Sequence, residues 1–114
     1  MKLKELADLI EGSVVCCPDG LEQDVEYAFA SDLMSDVLTV SKDRLVLITG
    51  LANMQAVRTA EMADILAVVF VRGKTISQDM IRLAEENGIV LIESPYTMFR
   101  ASGVLYGKGL KPVY

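Results

Sequence analysis

Leu45-Val46-Leu47-Ile48-Thr49-Gly50-Leu51-Ala52-Asn53 decides the fold: an apolar, β-branched run stops at a glycine turn and a helical segment follows. Leu45 to Thr49 is too short for a helix and has no polar face, so it reads as a strand buried on both sides. Asn53 to Ala63 then has helical spacing, with Met54, Val57 and Ala60 inward. The same unit recurs downstream. Leu66 to Val71 precedes a helix over Ser77 to Asn87 with Met80, Leu83 and Ala84 inward, and Ile89 to Glu93 precedes a helix from Pro95 to about Tyr106. Ser77 suits the N-cap of the first, with Asp79 in its first turn and Asn87-Gly88 as its stop, while Ser94-Pro95 reads as cap plus N1 proline for the second. Strands alternating with helices need right-handed crossovers, which predicts an α/β fold with a mainly parallel or mixed sheet and helices packed around it.

Upstream, Val25 to Ala30 reads as a strand running straight into Ser31-Asp32-Leu33-Met34-Ser35-Asp36-Val37-Leu38, where the spacing turns helical from Ser31. Asp32 and Asp36 are then four apart on one helix face, with Ser31 as N-cap. Leu3, Leu6, Ala7 and Ile10 mark the inner face of an N-terminal docking helix closed by Gly12. A strand over Val14 to Cys17 follows and ends at the turn Pro18-Asp19-Gly20. The first third is expected to be a small α-β-β unit, and 1–114 one domain.

Composition removes several functions. The 114 residues carry a formal charge of −5 with scattered Lys and Arg, which argues against nucleic acid or an anionic membrane as partner. The longest purely apolar run, Ile65 to Val71, is far short of a membrane span, and the N-terminus is no signal peptide, so a cytoplasmic protein is expected. Histidine is absent, so no Ser-His-Asp or Cys-His nucleophile and no His-ligated zinc can form within one chain. Cys16 and Cys17 are sequence neighbours that can close a disulfide only with strain, so they form neither a disulfide framework nor a metal quartet; they read as two thiols at a strand end or as a redox-sensing pair. Gly103-Val104-Leu105-Tyr106-Gly107-Lys108-Gly109 lacks the spacing, the hydroxyl residue and the preceding strand of a P-loop. Neither a catalytic set nor a metal site is expected.

A parallel sheet brings its carboxyl-end loops to one edge, where α/β folds hold ligands. Here that edge gathers Ser31, Asp32, Thr49, Gly50, Asn53, Arg72, Gly73, Lys74 and Ser94. Helix N-termini with their free amides suit a phosphate or carboxylate, and Arg72 and Lys74 add positive charge.

Ala30 to Leu38, the run Leu47-Ile48-Thr49-Gly50, and Gly88 to Ile92 with Ser94 resemble the DRTGG domain, along nearly the whole chain. That family is similar to the N-terminal domain of HPr kinase/phosphorylase. Its members occur alone or fused to CBS domains, inorganic pyrophosphatases and phosphotransacetylases. The resemblance implies an α/β fold, regulatory ligand binding and often a homodimer. Many fused members read Gly-Asp-Arg where this chain has Gly50-Leu51-Ala52-Asn53, and the kinase domain of HPr kinase has no counterpart here. The expected function is a non-catalytic regulatory module for an adenine nucleotide or other phosphate-bearing anion. The alternative is a protein-interaction or dimerisation module acting on a metabolic or redox enzyme.

Overall fold

Along the strand β3 (Leu45–Thr49) every residue is buried. Leu45 and Leu47 point to one face, Val46 and Ile48 to the other, as a period of two requires. The computed structural model describes residues 1–114. In chain order it holds α1 (Leu3–Leu9), β1 (Ser13–Cys16), a 3-10 turn (Pro18–Glu22), β2 (Tyr27–Ala30), α2 (Met34–Val37) and β3. Then come α3 (Met54–Met62), β4 (Ala67–Phe70), α4 (Gln78–Asn87), β5 (Val90–Glu93), α5 (Met98–Gly107) and β6 (Lys111–Pro112).

The sheet has the order β1-β5-β4-β3-β2-β6. β2 to β5 are parallel, β6 runs parallel to β2, and β1 runs antiparallel to β5. The expected α/β architecture is therefore present. From β2 to β5 the chain steps one way, so right-handed crossovers place α2, α3 and α4 on one face. Met34, Val37, Val57, Met80 and Ala84 there pack against Leu47, Phe70 and Leu91. From β5 to β6 the chain travels back, so α5 crosses the opposite face beside α1, and Leu3, Leu6, Ala101 and Leu105 meet Val46, Ile48 and Val69. Each side chain of β4 thus lies between two helical layers, which is why this strand shows no polar alternation.

Several local expectations are corrected. The α-β-β unit expected in the first third is split across the sheet: β1 adds antiparallel beyond β5, so β1 and β2 lie near opposite sides. The turn at Pro18 continues as a 3-10 helix, and β2 begins only at Tyr27. The helix expected from Ser31 begins at Met34, with extended Leu33 at its N-cap. Ser31 therefore caps no helix. Its hydroxyl accepts from the Leu33 amide at 3.0 Å, and Asp32, outside the helix, does not share a helical face with Asp36. The last helix is capped by Thr97, which accepts from the Arg100 amide, and neither Ser94 nor Pro95 belongs to it. Asn53 and Ser77 cap α3 and α4 in the same way.

The edge strand β6 was not foreseen. Glu26 ties it down, accepting from Lys111 and from Arg44. The hydrogen bond from Lys111, helped by Arg44 and opposed by partial burial, holds the Glu26 carboxyl below its ordinary range. A carboxyl with a lowered folded pKa adds stability that is complete above its unfolded value. That contribution disappears as pH falls through the folded value. The thermal midpoint of a Glu26→Gln variant should therefore fall less steeply than the parent's between neutral pH and the acid range below the ordinary glutamate pKa. Parallel slopes would remove Glu26 from the acid response.

Candidate functional site

Asp32 leaves the end of β2 and reaches across to the end of β3. Its Oδ1 accepts from the buried Thr49 hydroxyl at 2.9 Å and from the Gly50 amide at 2.7 Å. Thr49 Oγ1 in turn accepts from the Leu51 amide at 3.1 Å. This clasp explains why 31–33 stays out of the helix: the carboxylate is held by the neighbouring strand. It also satisfies a hydroxyl and two amides at a place where β3 can no longer do so.

Gly50 lies between this carboxylate and Arg72. A methyl at position 50 would come within 3.1 Å of Arg72 Nη2 and 3.5 Å of both Asp32 oxygens. Arg72 makes none of the four ion pairs of the chain. Its backbone is left-handed, with φ +65°, a conformation that disfavours residues with a Cβ. The Arg72 amide donates to Tyr96 O at 2.7 Å and the Gly73 amide to Ser94 O at 2.9 Å. These bonds fasten the loop after β4 to the loop after β5. α4 and α5 leave those neighbouring strands toward opposite faces, so a ligand crevice would be expected between them. The chain closes it with its own backbone.

The expected edge residues thus divide. Asp32, Thr49, Gly50 and Arg72 come together. Gly73 joins the neighbouring loop, and Lys74 is half-buried beside it. Ser31 and Asn53 use their oxygens on the Leu33 and Ala56 amides. Ser94 is buried; its hydroxyl donates to Ile10 O at 2.7 Å and accepts from the Tyr96 amide, so it ties α1 to the sheet. Arg100 was missed. Its guanidinium carbon lies 3.8 Å from the centre of the Tyr96 ring, a cation-π stack at the same edge. The spacing from Tyr96 to Arg100 across a helix start was the available signal.

Beside the clasp, on the α5 face, an apolar groove of about 330 Å³ runs between β2, β3 and α5. Ala30 and Ile48 form its floor, Phe99 and Tyr106 its wall. A wider cleft of about 760 Å³ lies at the amino ends of the strands. Of its charged groups, Glu26 pairs with Arg44, and Lys42 lies over the Tyr27 ring. No three His, Cys, Asp or Glu side chains gather as a metal site. No helix is long and apolar enough to cross a membrane.

No protein-family model matches this chain, and no curated protein matches its sequence. Among solved structures it is similar to the CBS and DRTGG domains of the regulatory region of Clostridium perfringens pyrophosphatase, complexed with the activator diadenosine tetraphosphate. The TM-score is 0.71 at 17% identity, and the match covers 91% of this chain and 45% of that one. The fold is DRTGG-like. The chain spans less than half of the regulatory region it resembles, and that neighbour is a regulatory rather than a catalytic region.

Proposed function

We propose that residues 1–114 act as one DRTGG-family regulatory domain, cytoplasmic and without catalysis of its own, that binds a phosphate-bearing anion, foremost an adenine nucleotide. The observation that carries this reading is the Arg72 guanidinium over Gly50, in none of the chain's ion pairs, at the strand ends two residues beyond Ala30 and Ile48, which line an apolar groove. Phosphates meet Arg72, Arg100 and Lys74, and a base lies along Phe99. The groove volume falls within the range of small-molecule sites. The arginine that many relatives carry two residues after the glycine is missing, but Arg72 supplies a cation to Gly50 from the next strand. The diadenosine tetraphosphate bound by the neighbour supports the ligand class.

Thermal unfolding against diadenosine tetraphosphate, AMP, ATP, GTP, pyrophosphate and orthophosphate tests the reading. A ligand at about one hundred times its Kd adds roughly 2.7 kcal/mol, which raises the midpoint of a domain of this size by on the order of 10 °C. A flat response across the panel rejects it.

A second reading, a homodimerisation module, is favoured by α5. Phe99 and Tyr106 are 90% and 67% exposed, and nothing lies within 4 Å of a Cβ built on Gly103 between them. The occupant is a second copy, whose α5 can approach closely over that glycine. Sedimentation should then give a dimer for the parent and a monomer for Tyr106→Glu. A monomeric parent rejects the homodimer.

A further inference from the structure

Cys16 ends β1 and Cys17 follows in left-handed backbone, φ +57°, which turns the two neighbouring side chains toward the same side instead of alternating across the strand. Their sulfurs lie 3.2 Å apart. Both rest on α4: Cys16 Sγ donates to Ile81 O at 3.6 Å and Cys17 Sγ to Ala84 O at 3.8 Å. Cys16 is buried, whereas Cys17 is partly open to a cleft lined by Pro18, Asp19, Gln23, Glu85 and Gly88. Leu91, at the amino half of β5, is the register partner of Cys16, so this pair lies away from the carboxyl edge that holds Asp32 and Arg72.

We propose that Cys16 and Cys17 are a vicinal dithiol that low-molecular-weight disulfides convert to an intramolecular disulfide, a site of reversible oxidative modification separate from the anion edge. The Cys17 thiolate, reached through the cleft, attacks one sulfur of a disulfide such as oxidised glutathione and expels one thiolate. Cys16 then loses its proton and attacks the Cys17 sulfur, expelling the second. Two protein thiols are oxidised and one small disulfide is reduced to two thiols. Burial, with Cys17 and Glu85 adding to it, pushes the Cys16 thiol up to about 12, which disfavours its thiolate. Its position 3.2 Å from the sulfur it attacks offsets that handicap by proximity. The sulfurs must approach by little more than 1 Å to bond at about 2.0 Å, and the ring closes under strain, because neighbouring Cα atoms lie about 3.8 Å apart, short of the usual disulfide span, which makes the bond readily reducible. Closure also removes both S–H donors from the α4 carbonyls.

Intact-mass measurement of the reduced full chain after excess oxidised glutathione tests this. The parent should lose about 2 Da, the mass of two hydrogens, and become fully protected from alkylation, with dithiothreitol reversing both. Cys16→Ala should stop at a stable glutathione adduct on Cys17. A parent that keeps the adduct, forms only intermolecular disulfides, or remains unmodified overturns the proposal.

Discussion

A Gly50→Trp chain is expected to lose the nucleotide-induced rise in thermal midpoint. Gly50 has an ordinary negative φ, so the backbone tolerates a side chain there. The conflict is local: even the Cβ comes within 3.1 Å of Arg72 Nη2, and the indole beyond it must occupy the space in which Arg72 faces Asp32. The effect expected is the whole ligand term, about 2.7 kcal/mol near saturation. A tryptophan at a buried glycine also risks a damaged fold, so Arg72→Gly provides the contrast. It removes the cation and at the same time relieves a left-handed conformation that costs a residue with a Cβ about 1–2 kcal/mol. Part of that relief is offset by the greater freedom of glycine in the unfolded chain. The midpoint without ligand should therefore not drop, while the ligand shift should vanish. If Arg72→Gly retains the full shift with every nucleotide that stabilises the parent, the phosphate is held elsewhere.

The sheet was legible because its strands carry their layer environment in their composition. β3, β4 and β5 lie between two helical layers, so Leu45 to Thr49, Leu66 to Val71 and Ile89 to Glu93 lack polar interruptions, and the structure deviates by only a residue or so at their ends. The cap of α4 was legible for a local reason, since Ser77 bonds the amide three residues ahead; Asn53 caps α3 in the same way but was expected as a ligand-edge residue. The misread parts depend on partners far away in sequence. Asp32 looks like a first-turn helical acid until Thr49 and Gly50, from another strand, take its carboxylate. β6 is only Lys111–Pro112, too short for periodicity, and exists because the chain returns from β5 across the sheet to β2. The candidate site was likewise readable as an edge but not as a constellation. Arg72 and Gly50 were both expected there, but their closeness follows from the pairing of β3 with β4.

Ser94, expected at the ligand edge, spends its hydroxyl on two backbone groups, and its replacement is expected to cost stability rather than binding. Ser94 is 1% exposed and its hydroxyl bridges two backbone groups. It donates to Ile10 O where α1 ends and accepts from the Tyr96 amide where the chain leaves β5. Ser94→Ala leaves that carbonyl and that amide without the partner, at a buried position. Each orphaned buried group costs about 1–3 kcal/mol, so the pair removes a large share of the roughly 5–15 kcal/mol that stabilises a domain. The loss should appear as a lower denaturant midpoint with an unchanged slope, since the surface exposed on unfolding stays the same. Binding per folded molecule should remain, because Arg72, Gly50 and Asp32 keep their own bonds. A Ser94→Ala chain of parental stability that no longer responds to nucleotide would reverse the assignment and return Ser94 to the ligand. Ser94→Thr separates the two roles further: it keeps the hydroxyl but adds a methyl in a packed site, so it should recover part of the hydrogen-bond loss and incur a packing penalty of about 1–3 kcal/mol.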